Sequence, residues 1–140
     1  MRLALLAALA STLVLAAGDG DRTRIPGKWQ SQADGKVVWV VEDNGNSIHI
    51  LRSEGDQKVA EFQCAIGQEC QVKDAGKKAK ITMYYNGPKL IELETKGDEV
   101  VKRRFTAGDA DTMQVEVIPI SGEVKAETLT FKRVSVTAAK

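Results

Sequence analysis

A single histidine, His49, and two cysteines, Cys64 and Cys70, are all the imidazole and thiol this chain holds. That is too few ligands for a zinc site, and a Ser-His-Asp device would have to be built on His49 alone. No G-x-S-x-G nucleophile elbow occurs, and the glycines punctuate turns instead of forming phosphate-binding loops. No metal and no cofactor is expected, and no enzyme activity; hydrolase or isomerase chemistry is the least supported reading. Aromatic residues are scarce at two Trp, two Tyr and three Phe, a thin supply for a wide apolar pocket, which is usually aromatic-lined. Charge of one sign is lacking too: 20 basic residues face 19 acidic ones. A near-neutral chain is a poor partner for nucleic acid, whose binding rests on phosphate neutralisation. The basic runs Lys77-Lys78-Ala79-Lys80 and Lys102-Arg103-Arg104 have Asp74, Asp98 and Glu99 close by, and read as solvated strand faces. Helical periodicity, low-complexity tracts and repeats are absent after the N-terminus.

The N-terminus has its own composition. Met1-Arg2 is followed by an apolar run from Leu3 to Leu15, then by Ala16, Ala17 and Gly18. This is the layout of a secretory signal peptide over 1–17, cleaved after Ala16 or Ala17. The run is too short to span about 30 Å of hydrocarbon, so the mature form is expected to have no transmembrane segment. No cysteine stands at the cleavage region to carry a lipid. The expected location is therefore exported, periplasmic or extracellular, with residues 18–26 as a flexible leader.

What the rest of the chain has in quantity is glycine at turns. Nine glycines from Gly35 to Gly122 recur about ten to fourteen residues apart, most beside Asp, Asn or Ser. Between them lie short alternating runs. Ala60, Phe62 and Cys64 share one face; so do Ile81, Met83 and Tyr85, then Val101, Arg103 and Phe105, then Met113, Val115 and Val117. In 90–95 the alternation is read with Ile91 and Leu93 inward and Glu92 and Glu94 on a solvated face. The fold class is all-β: an antiparallel up-and-down meander of 8–10 strands over 27–134, closed or nearly closed into a barrel, with 135–140 as a tail. Cys64 and Cys70 flank a hairpin connection and are expected to form a structural disulfide. Closing so short a loop stabilises by about 2–2.5 kcal/mol in the chain-entropy account.

Gly27-Lys28-Trp29, followed by a complete meander ending in Leu129-Thr130-Phe131-Lys132-Arg133-Val134, resembles the lipocalin and fatty-acid-binding-protein (calycin) barrels. The resemblance implies that Trp29 plugs the closed base with Arg133 packed on its indole. It also implies departures. Fatty-acid-binding proteins carry a helical lid between their first two strands, and only Ser31 to Gly35 is available here. Their last strand offers an arginine and a tyrosine to a carboxylate, where this chain has Leu129 and Phe131. The histidine motif of nitrobindin-type haem barrels is missing around His49. Fold and the role of Trp29 carry over; ligand chemistry does not.

Arg103 is the charge that stands out, because Val101 and Phe105 share its face. Either it reaches water or a nearby Glu, or it forks onto a ligand carboxylate or phosphate; in the second case Arg103→Leu would abolish binding and keep the fold. The expected ligand-binding set is Arg103, Tyr85, Phe62, Met83 and Phe105, with His49 an ordinary surface or rim residue. The function expected is non-enzymatic binding of a small hydrophobic or weakly anionic ligand, apolar or carboxylate-bearing. The alternative is a protein partner for a filled barrel acting as an interaction or inhibitor scaffold in the cell envelope. Free volume inside the barrel separates the two.

Overall fold

The computed structural model describes residues 20–108 and 111–134. Ten antiparallel strands follow a short 3-10 turn at Arg22–Arg24: β1 Gly27–Ser31, β2 Val37–Asp43, β3 Ser47–Glu54, β4 Gln57–Ala65, β5 Cys70–Asp74, β6 Lys77–Asn86, β7 Lys89–Lys96, β8 Glu99–Ala107, β9 Thr112–Ser121 and β10 Glu127–Arg133. Each strand pairs with its sequence neighbours except between β4 and β5. β1 pairs with β10, which rolls the meander up, and β4 and β5 stand at the two ends of the ladder. The result is an all-β meander nearly closed into a barrel, with one seam.

The seam is stitched at its two ends. At one end Cys64 and Cys70 form a disulfide with Cα atoms 5.7 Å apart, and Gly67 donates its N–H to the Met83 carbonyl at 2.7 Å. At the other, the Ala75 N–H reaches the Val59 carbonyl at 3.2 Å, and Arg52 of β3 pairs with Asp74 of β5.

The base shows why the chain opens on Gly-x-Trp. Trp29 is fully buried, and its indole Nε1 donates to the Ile25 carbonyl at 2.8 Å. The Arg133 guanidinium lies 4.3 Å from the centre of that ring and donates from Nη1 to the Pro26 carbonyl at 3.0 Å and from Nη2 to the Arg24 carbonyl at 2.6 Å. Gly27 sits at φ +145°, and a Cβ there would stand 2.3 Å from Arg133 Nη1, so no side chain fits. Residues 20–26, within the expected leader, run along the base of the barrel. Asp21 caps the short turn through the Thr23 N–H at 2.9 Å and ties to the Ala107 carbonyl at 2.9 Å. Ile25 is fully buried against the core. The segment is held because it supplies the carbonyls that Trp29 and Arg133 need. Residues 1–17, 18–19 and 135–140, where a signal peptide, the start of the leader and a tail are expected, lie outside the described residues.

Above Trp29 the barrel is filled. Ile48, Ile50, Ile81, Met83, Leu90, Phe105, Met113 and Val115 are buried on its inner face. Trp39 leans on Phe105 and Phe131 at ring separations of 5.3 and 5.7 Å, tilted geometries that add to area burial.

One strand is inverted relative to expectation. The two-residue turn Gly97-Asp98, with Gly97 at φ +59°, pairs Lys96 with Glu99 and so sets Leu90 opposite Phe105 and Glu92 opposite Arg103. Leu90, Glu92 and Glu94 therefore face the interior with Phe105 and Arg103, while Ile91 and Leu93 take the other face. Glu92 and Glu94 are buried, their side chains 3 % and 4 % exposed. Their expected place on a solvated face is corrected. A buried arginine on the neighbouring strand makes the inward phase the stable one.

Candidate functional site

The interior is not filled to the rim. A cavity of about 400 Å³ opens at the end of the barrel bordered by the β1–β2, β3–β4 and β9–β10 connections. Its apolar wall comes from Val37, Trp39, Val59, Val117, Val124, Leu129 and Phe131, and its polar groups include Ser31, Arg52 and Arg103. The inward phase of β2, β9 and β10 aims Trp39, Val117, Leu129 and Phe131 into it, and no helix among the described residues covers the β1–β2 connection. The volume lies within the roughly 300–1,000 Å³ typical of small-molecule sites. A larger depression, about 610 Å³, lies outside β5 and β6 among Lys73, Lys78 and Lys80. Those lysines are exposed, so it is a surface furrow and not an enclosure.

Beside the cavity runs a chain of buried charges. Arg103 Nη1 donates to Glu92 Oε1 at 2.7 Å and to Glu94 Oε1 at 3.1 Å. The Glu94 carboxyl lies against that of Asp74, and Asp74 pairs with Arg52 and, at 3.4 Å, with Lys96. Arg52 also stacks over Trp39 at 5.3 Å. β3, β5, β7 and β8 each contribute, so the chain of contacts spans the seam. Burial pushes Asp74 up, but the Glu94 hydrogen bond and the charges of Arg52 and Lys96 outweigh it and hold its pKa down to about 2. Burial pushes Glu94 the same way, and the Asp74 hydrogen bond adds to it, so that Glu94 rises to about 7 against the pull of Arg103. Burial opposes the charge of Arg103, yet Glu92 and Glu94 raise its pKa above the ordinary value. Among the described residues two buried side-chain atoms have no hydrogen-bond partner, Arg52 Nε and Glu94 Oε2.

Of the expected ligand-binding residues, Arg103 lines the cavity. Phe62, Met83 and Phe105 belong to the packed core. Tyr85 is half-buried, its hydroxyl donating to Asp43 Oδ2 at 2.7 Å and its ring under Arg22 at 5.1 Å. Burial and the Asp43 hydrogen bond raise the Tyr85 phenol above its ordinary range. His49 lies between Glu42 and Glu61 at 3.3 and 3.0 Å, and no cluster able to hold a metal ion exists among the described residues. Sequence reasoning missed Arg52, Asp74, Glu92 and Glu94. For Glu92 and Glu94 the signal was present: a two-residue turn at Gly97-Asp98 sets Glu92 across from Arg103.

No protein-family model matches the chain, and no curated protein matches it. Solved structures do. The chain is similar to a protein titled REP1-NXSQ fatty acid transporter, at 18 % identity and TM-score 0.67 over 81 % of this chain and 98 % of that one. It is also similar to a Schistosoma mansoni fatty acid binding protein in complex with arachidonic acid, at 19 % identity and TM-score 0.66 over 83 % and 100 %. At such identities the likeness shows the fold alone: a nearly closed, calycin-like antiparallel β-barrel. The expected periplasmic or extracellular location is corrected by the same comparison, in which the chain aligns with fatty-acid-binding and fatty acid transport proteins.

Proposed function

We propose that the protein is a non-enzymatic binder of a small hydrophobic molecule, apolar or carboxylate-bearing, held in the cavity at the barrel mouth. The observation that carries this reading is an unfilled volume of about 400 Å³ walled on one side by Trp39, Val117, Leu129 and Phe131, with Arg103 on a polar side that also holds Arg52, Asp34, Glu54 and Glu127. The apolar body lies on those side chains and any polar end turns to Arg103. Bonds made by Arg103 Nη1 to Glu92 and Glu94 leave its Nε and Nη2 without an acceptor among the described residues. Likeness to fatty-acid-binding proteins supports the reading at the level of fold.

Titration calorimetry with decanol is expected to show one saturable site with a negative heat-capacity change, the mark of apolar burial. Trp39 lines the cavity while Trp29 is sealed in the base. The emission change on binding is therefore expected to vanish in Trp39→Phe while the heat of binding persists. Flat heats with decanol and decanoate alike would contradict the proposal.

A further inference from the structure

We infer that Glu94 sets the head-group selectivity of the cavity: ionised, it is the second carboxylate on Arg103 and the site admits only an uncharged head; protonated and turned to Asp74, it leaves Glu92 as the one counter-charge and opens the guanidinium to a ligand carboxylate. This rests on the mouth cavity being the binding site.

The geometry starts from Arg103. A carboxylate placed on it now would join two buried carboxyls already bonded to one nitrogen, Glu92 at 2.7 Å and Glu94 at 3.1 Å. Like charges brought together in a desolvated site cost several kcal/mol. An alcohol or amide oxygen meets no such repulsion and accepts from the remaining N–H groups. Of the two carboxyls, Glu94 is the one able to withdraw. Its bond to Arg103 is the longer, and its Oε2 is buried without a donor. It also faces a second carboxyl, Asp74. Two carboxyl groups hydrogen-bond only when one of them holds a proton. Asp74 is held as the anion by Arg52 and Lys96, so the proton belongs on Glu94. Glu92 has no such second partner.

The charged groups around Glu94 are complete from every side. Asp74 comes from β5, Arg103 from β8, Glu92 and Lys96 from β7 itself, and Arg52 of β3 stands behind Asp74. The cross-strand neighbours Ile81 of β6 and Val101 of β8 are apolar. The burial that lifts Glu94 toward neutrality makes the exchange accessible near physiological pH. Binding a carboxylate then takes one proton from solvent onto Glu94, whereas binding an alcohol takes none. Glu94 acts through Arg103 and is a positioning residue.

The test is a pair of matched probes, decanoate and decanol, titrated by calorimetry at pH 6 and pH 8 into the whole protein and into Glu94→Gln. The ratio of their affinities cancels the shared ten-carbon chain. In the parent, decanoate is expected to lose about tenfold against decanol between the two pH values, the fall in the protonated fraction of a single group titrating near 7. Calorimetry in buffers of different ionisation heat is expected to show proton uptake with decanoate alone. In Glu94→Gln, whose amide copies the protonated state, the ratio is expected to stay near the parent's pH 6 value at both pH values. A pH-independent ratio in the parent overturns the inference and leaves the binding site standing, as does the same tenfold loss persisting in Glu94→Gln. Failure of both probes to bind the parent overturns the binding site, and this inference with it.

Discussion

Arg103→Leu is expected to lower the stability of the barrel by about 3–5 kcal/mol, the range for removing one partner of a buried ion pair. The loss comes from what remains. Glu92 and Glu94 are 3 % and 4 % exposed, and Arg103 is the cation that both touch. Without it, two carboxyls stand one pleat apart on β7 with no donor from β8. For a domain of this length the midpoint of thermal unfolding should fall by roughly 10–20 °C. The triple variant Arg103→Leu, Glu92→Leu, Glu94→Leu is expected to recover most of the loss, since apolar replacement of a whole buried ionic set is often close to neutral. Urea unfolding of both variants beside the parent decides it. A single variant within about 1 kcal/mol of the parent would mean that the pairing carries no weight. This expectation displaces the one drawn from sequence, in which Arg103→Leu keeps the fold and reports on ligand alone.

Stability is expected to peak on the acid side of neutrality. Asp74 is depressed from 3.8 to about 2, so its contribution is complete above its unfolded pKa and is lost as pH falls toward 2. Glu94 is raised from 4.5 to about 7, which reverses the direction. Between those two values the unfolded chain has released the proton that the folded chain keeps, so each step upward in pH favours unfolding. The urea midpoint should therefore climb from pH 2 to about 4, hold near 4.5, and decline through 7, with a fall on the order of 2 kcal/mol. Glu94→Gln is expected to abolish the decline above 4.5 and keep the rise below 4. A midpoint that instead increases from pH 5 to pH 8 would place the proton elsewhere.

The sequence and the structure part company at identifiable residues. Spaced glycines and alternating runs marked nearly every strand, because a tight turn and a two-residue period are local properties. Gly27, Trp29 and Arg133 come together through β1 and β10, with Arg133 4.3 Å over the indole. For β7 the alternation points to the wrong phase, since Leu90 and Ile91 are adjacent and both apolar and either phase gives a greasy face. Pairing arithmetic from the Gly97-Asp98 turn would have chosen correctly, by setting Glu92 against the inward Arg103. Ile25 gave a weaker signal, one apolar residue in a polar segment, and its burial follows from carbonyls that Trp29 and Arg133 demand. Asp74 and Arg52 could not be paired from sequence. They are 22 residues apart on strands that never share a ladder, and meet only when the sheet has rolled up to its seam. The extent of the cavity is non-local for the same reason: it is what Trp39, Phe105 and Phe131 leave unfilled when strands from both ends of the chain converge.

Backbone amide shifts of nitrogen-labelled protein on addition of decanol test the central claim most directly. Binding at the mouth predicts that the largest changes fall at Val37, Trp39, Val117 and Leu129, around the cavity. Changes concentrated instead at Lys73, Lys78 and Lys80 on the outer furrow, or none at any residue, would contradict it.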